Sequence, residues 1–183
     1  MTHTPALKEW SAVVHALLDG RQQVLLRKGG IHEKRFDVAA REFVLFPTVA
    51  HSHAQRVRPE HRDLLTRAAP DSTDDQVIIR AAAKVVAALP VNRPDQLDAI
   101  EDLHIWTAES VRADRLDFRP RHRLAVLVVQ AVPLAKPLPL ARIPGFAGCT
   151  SWVQVPLAPT LAAPVYDKAA LRQVAARVRD AVG

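Results

Sequence analysis

Apolar positions along this chain recur with two different periods, and the changes between them predict its elements. Leu7, Trp10, Val14, Leu17 and Leu18 share one helical face, with Gly20 placed as a C-terminal cap. Gln23 to Arg27 is too short for a helix and lies between Gly20 and Gly29-Gly30, which predicts a strand. A second strand is predicted over Glu42 to Phe46, stopped by Pro47, and a short helix over Pro59 to Ala69 with proline in its first turn. Gln76 to Leu89 mixes Val77, Ile78, Ile79, Val85 and Val86 with an Ala81-Ala82-Ala83 run, and reads as one long strand. Asn92 or Arg93 opens a helix through about Leu103, and Thr107 caps another from Ala108 to Leu116. Leu124 to Val132 is the clearest buried strand, and Ser151 to Val155 a further short one. Asp167 caps a final helix whose stripe is Leu171, Val174, Ala175, Val178 and Val182.

Strands and helices without regular alternation indicate an α+β fold. No internal repeat and no long linker divides the sequence, so residues 1–183 are expected to form one domain, with the helix at about 167–182 as an appended element. The longest apolar stretch, Leu124 to Ala135, is broken by Gln130 and Pro133 and is too short for a membrane span. Cys149 is the only cysteine, which excludes an internal disulfide framework and a cysteine-based zinc site. Its surroundings predict a buried structural thiol. With no signal-peptide pattern over Met1 to Lys8, the expected location is the cytoplasm.

Charge changes the picture more than composition does. The chain carries a formal charge of +6, but 11 Lys/Arg face 7 Asp/Glu over residues 1–70, 5 face 10 over residues 71–118, and 9 face 2 over residues 119–183. Basic ends around an acidic middle suggest a polyanionic partner.

The densest polar segment runs from Arg27 and Lys28 through Gly29 and Gly30 to Arg35. A Gly-Gly turn behind two cations lets a phosphate approach the backbone, with Arg27 as a bidentate donor. The spacing matches neither a P-loop nor a dinucleotide fingerprint. His51 and His53 follow Phe46-Pro47-Thr48, yet no third ligand accompanies them, so no metal site is expected. Glu33, Asp37 and Glu42 lack the Glu-x-Lys or Asp-x-Lys partner of a metal-dependent nuclease, and no Gly-x-Ser-x-Gly elbow is present. The sequence thus contains no evident catalytic centre and calls for no cofactor. Trp10, Trp106 and Trp152 are three of nine aromatic residues; Trp106 and Trp152 are the candidates for stacking on an unpaired base.

Lys8-Glu9-Trp10, Leu25 to Ile31, Phe46-Pro47-Thr48 with His51, and Gly148 to Trp152 together resemble a bacterial family known only as a domain of unknown function. The resemblance spans nearly the whole chain and implies no activity. More distantly, a helix, Gly20 and a strand ending in Arg27 are similar to the opening of PUA-like barrels of the ASCH branch. There a glycine is followed by a lysine two later, a glutamate three beyond and an arginine two further on. Gln22 and Leu25 replace the lysine and the glutamate, so no hydrolytic activity carries over.

This second resemblance implies a small mixed or antiparallel barrel with flanking helices, holding a cleft for RNA or for a modified or flipped base of DNA. The expected function is a nucleic-acid-binding module contacting its ligand through Arg27, Lys28, Gly29, Gly30, Arg35, Thr48, His51, Trp106 and Trp152. The alternatives are a metal-dependent nuclease or base-modifying enzyme using Glu33, Asp37 and His51, and a module that docks a partner protein.

Overall fold

A computed structural model describes residues 2–29, 35–50 and 52–183. Six strands form one mixed sheet: β1 (Thr4–Trp10), β2 (Val24–Lys28), β3 (Glu42–Thr48), β4 (Gln76–Pro90), β5 (Leu124–Ala141) and β6 (Trp152–Val155). Their order is β2-β5-β4-β3-β1-β6, with β1 and β3 parallel and the other neighbours antiparallel. The helices are α1 (Ser11–Leu18), α2 (His53–Arg56), α3 (Asp63–Ala68), α4 (Ala108–Val111) and α5 (Lys168–Val182). Among the described residues no helix is long and apolar enough to cross a membrane.

Both faces of the sheet are covered, and the alternation of side chains shows it. Phe43 and Leu45 of β3 enter the larger core, and Val44 and Phe46 the smaller one. On β4, Val77 and Ile79 face the smaller core but Ala81 and Ala83 the larger. Between Ile79 and Ala81 the register shifts, from Ile79 opposite Leu138 to Ala81 opposite Pro133, and this irregularity exchanges the faces. α1 is buried nearly all round, as expected of a helix apolar on every side. The Leu171, Ala175, Val178 and Val182 stripe of α5 closes the larger core.

Several expectations need correction. Leu7 and Trp10 belong to β1, not to a helix; α1 starts only at Ser11 because residues 4–10 pair with β3 on one side and β6 on the other. Pro47 does not end β3. Pairing of β3 with β4 stops at Val44, so the proline removes no amide that β4 requires. β5 runs on through Pro133, Pro137 and Pro139 to Ala141, accommodated by the irregular register opposite Ile79 to Ala81. Residues 94–103 form 3-10 turns interrupted at Ile100 rather than an α-helix, and residues 112–117 widen into a π-turn. Gly20 does adopt the left-handed conformation of a helix terminus, at φ +73°, with its carbonyl accepting from the Tyr166 hydroxyl.

The expected closed barrel is also corrected. Among the described residues no ladder joins β2 to β1 or β6, and the sheet stays open. It is nonetheless strongly curled. In a flat sheet β2 and β1 would lie about 19 Å apart, four strand spacings. Here the Arg27 guanidinium on β2 reaches the Lys8 carbonyl on β1 at 3.1 Å.

Candidate functional site

The curl gathers four sequence segments at one end of the sheet. Glu9, buried at 5% exposure, accepts from the Trp10 amide at 2.9 Å and from Arg27 at 3.2 Å. The Thr48 hydroxyl at the end of β3 donates to the Glu9 carbonyl, and Lys8 Nζ donates to the Gly148 carbonyl at 2.9 Å. Trp152 donates its indole N–H to the Asp37 carbonyl at 3.1 Å and stands edge-on to Phe43. Arg27 also lies over the Phe36 ring, 4.8 Å from its centroid.

Arg27 is therefore committed to Glu9, to a backbone carbonyl and to an aromatic face. Removing it strands a buried carboxylate. Arg27→Ala is expected to cost about 2–3 kcal/mol in urea denaturation; an unchanged midpoint would show that the pair contributes nothing.

Beside this pair lies a packed aromatic group. His53 stacks on Trp10 at 3.6 Å, and Trp106 meets Trp10 edge-on at 4.6 Å. Trp106 is only 5% exposed. His53 Nε2 accepts from the Ala50 amide and His104 Nδ1 from the Trp106 amide, so both rings are held neutral. Burial, reinforced by Arg56 for His53 and by Arg58 for His104, pushes both down to about 4. Arg56 grips Asp114 through two nitrogens. Arg115, on the π-turn, lines the same cleft with Trp10, Trp106, Ser110, Val111 and Asp114.

The rim above is basic and open. Lys28 Nζ donates to the Phe118 carbonyl, and His122 Nδ1 lies 3.1 Å from the Gly29 carbonyl. An isolated bridge joins Arg35 to Arg123. The segment 118–123 is thereby laid against the end of β2. Phe118 is 59% exposed, with the Arg119 guanidinium 4.9 Å from its ring centroid, and Arg119 sits at φ +52° in the turn. Arg35, Arg121 and Arg123 are exposed. Among the described residues none of Arg35, Arg119, Arg121 and Arg123 is paired with a carboxylate, whereas Arg21, Arg56, Arg67, Arg80 and Arg177 each are. Burial lowers the Lys28 ammonium, and Arg115 and Arg119 lower it further.

Of the residues singled out from sequence, Arg27, Lys28, Gly29, Arg35 and Thr48 thus lie at this end of the sheet. Trp106 is covered and Trp152 is half-buried at the back of the Arg27 pair. Gly30 and His51, with Glu33, lie outside the described residues, and Asp37 is exposed. No three His, Cys, Asp or Glu side chains cluster as a metal site among the described residues. Cys149 is exposed, correcting the expected buried thiol: it lies in the exposed stretch 147–150 that leads into β6, where no core residue is placed. Sequence reading overlooked Phe118, Arg119, Arg121 and Arg123; an aromatic followed by alternating arginines was the available signal.

A search of curated proteins returns no match. A family profile covers residues 6–177, nearly the whole chain and every segment gathered at this end of the sheet. The protein belongs to the family described as Domain of unknown function (DUF1802).

Proposed function

We propose that this protein is a nucleic-acid-binding module that holds a single strand of RNA or DNA along the basic rim. The observation that carries the reading is an exposed Phe118 flanked by Arg119, Arg121 and Arg123, with Lys28 and Arg35 alongside and no carboxylate taking up these guanidinium groups among the described residues. Aromatic faces stack on bases irrespective of sequence, while unpaired arginines track phosphates. The net charge of +6 favours encounter with a polyanion. Curling of the sheet supports regarding it as an opened relative of the PUA-like barrel. An exposed free thiol suits a reducing, cytoplasmic setting.

Fluorescence anisotropy of short labelled single strands and duplexes across a salt series tests this. Log K should fall linearly with log salt, with a slope of about −0.7 per phosphate contacted on a single strand. Replacing Arg119, Arg121 and Arg123 together by alanine should remove about two units of that slope. Phe118→Ala should weaken single-strand binding by about 1–3 kcal/mol and leave the slope unchanged. Absence of binding at low salt, or a slope indifferent to the three arginines, would sink the proposal. Arg27 is unsuited to this test because its loss unsettles the fold.

A further inference from the structure

Below the rim, the charges around Trp10 do not balance. Glu9 is taken by Arg27 and the Trp10 amide, and Asp114 by Arg56. Arg115 stands among these four groups with no carboxylate left for it among the described residues. Its Nε has no acceptor among the described residues, while the side chain as a whole is half-buried and lines the cleft. A buried donor without a partner is costly, and a charged one more so. An anion entering the cleft offsets that cost by answering the surplus charge where the side chain lines the space.

Three features indicate the ligand's chemistry. The surplus charge is positive, so the ligand is an anion. The donor is a guanidinium, whose fork matches the oxygens of phosphate. Free space in the cleft is about 10 Å³, room for one oxygen atom and not for a base. Arg115 also lies on the only π-turn among the described residues, a local widening that recurs at functional sites. Lys28 lies near enough for the Arg115 charge to lower its ammonium, so a second cation stands close to the cleft.

We propose that Arg115 receives one oxygen of a phosphomonoester, the terminal phosphate of a bound strand or that of a free nucleotide. This deepens the nucleic-acid reading and rests on it for the first of the two sources. A chain end can insert a phosphate oxygen where a phosphodiester, blocked on both sides by sugars, is held at the rim.

The test uses Arg115→Met, which keeps length and removes charge. Without ligand, the variant should melt at or above the wild-type temperature, because the arginine it replaces is uncompensated. Inorganic phosphate, compared with chloride at equal ionic strength, should raise the wild-type melting temperature and leave that of the variant unmoved. In anisotropy, an oligonucleotide phosphorylated at its 5′ or 3′ end should bind wild type about tenfold tighter than its hydroxyl counterpart. The variant should lose that preference and keep the salt slope of the rim. Phosphate stabilisation that depends on Arg115, with no oligonucleotide bound, would leave the phosphate site standing with a small nucleotide as its source and would end the nucleic-acid reading. Equal affinity for both ends with no phosphate-dependent melting shift would overturn the Arg115 site while the rim survives. A large fall in melting temperature for Arg115→Met would overturn it too, since a structural arginine behaves that way.

Discussion

Acidification from pH 7 to pH 4 is expected to strip the protein of much of its stability, starting well above the ordinary carboxylate range. His53 and His104 are held at about 4 in the fold, against an ordinary value of 6.5. Above pH 6.5 both states carry neutral rings and the histidines contribute no pH dependence. Below it the unfolded chain takes up two protons that the folded chain refuses, so stability falls with pH until the folded rings themselves protonate near pH 4. Each histidine accounts for about 3 kcal/mol across that window. A domain held together by about 5–15 kcal/mol tolerates such a loss poorly.

The physical cause differs slightly at the two sites. His53 is pressed against Trp10 with Arg56 nearby, so a proton would meet both a covered ring and a cation. His104 is 2% exposed and its Nδ1 is occupied by the Trp106 amide. Urea midpoints at half-unit steps from pH 7 to pH 4 measure the effect. His104→Asn retains an acceptor for the amide without a titratable ring, and should remove about half of the slope. A midpoint that stays level between pH 6.5 and pH 5 would contradict the prediction.

The second large effect is expected at Asp71→Ala, at about 3–5 kcal/mol. Asp71 is 1% exposed at the end of the 3-10 turn Ala69–Asp71. Its Oδ2 accepts from His15 on α1 at 2.6 Å and from Arg80 on β4 at 2.7 Å, while Oδ1 has no partner among the described residues. The carboxylate thus ties a helix to the middle of the sheet. Burial alone would raise it, but the His15 and Arg80 hydrogen bonds together hold it below the ordinary value of 3.8. A depressed carboxylate stabilises above its unfolded value and ceases to do so as pH falls through the folded one. Its share of acid unfolding therefore comes below about pH 4, after the histidines have acted. Combining Asp71→Ala with Arg80→Ala should give less than the sum of the single losses, since each removes the same bond. Additive losses would show that the pair is not coupled.

Local signals were legible where the deciding contact is near in sequence. Thr107 and Asp167 cap α4 and α5 through hydrogen bonds to amides three residues on, as their residue types implied. Gly20 marks the end of α1, and β2, β4 and β5 stand where apolar runs predicted strands. Failure came where a distant segment decides. Residues 4–10 have a helical rhythm, yet their partners on β3 and β6 lie about 40 and 150 residues away and draw them into the sheet. Pro47 terminates a strand only if a neighbour needs its amide, and β4 leaves before that point.

The site divides in the same way. The Arg27-Lys28-Gly29 stretch was visible as a basic segment, but the buried Glu9 that claims Arg27 was not readable as its partner. Trp106 and Trp152 drew attention by size, although burial and hydrogen bonding occupy them. Phe118 was hidden by its ordinariness: only the turn at Arg119 reveals that it faces outward.

The strand order also governs how this chain is made. Among the described residues β2 has only β5 for a neighbour, and Val24 pairs with Val128. At a synthesis rate of about 5–20 residues per second, β2 waits roughly 5–20 s for its partner to be translated. Throughout that interval Val24, Leu25 and Leu26, all buried in the finished protein, have no sheet to enter. Nascent chains stalled before residue 124 should accordingly hold this strand in a form that chaperones engage, and release it once β5 has left the ribosome.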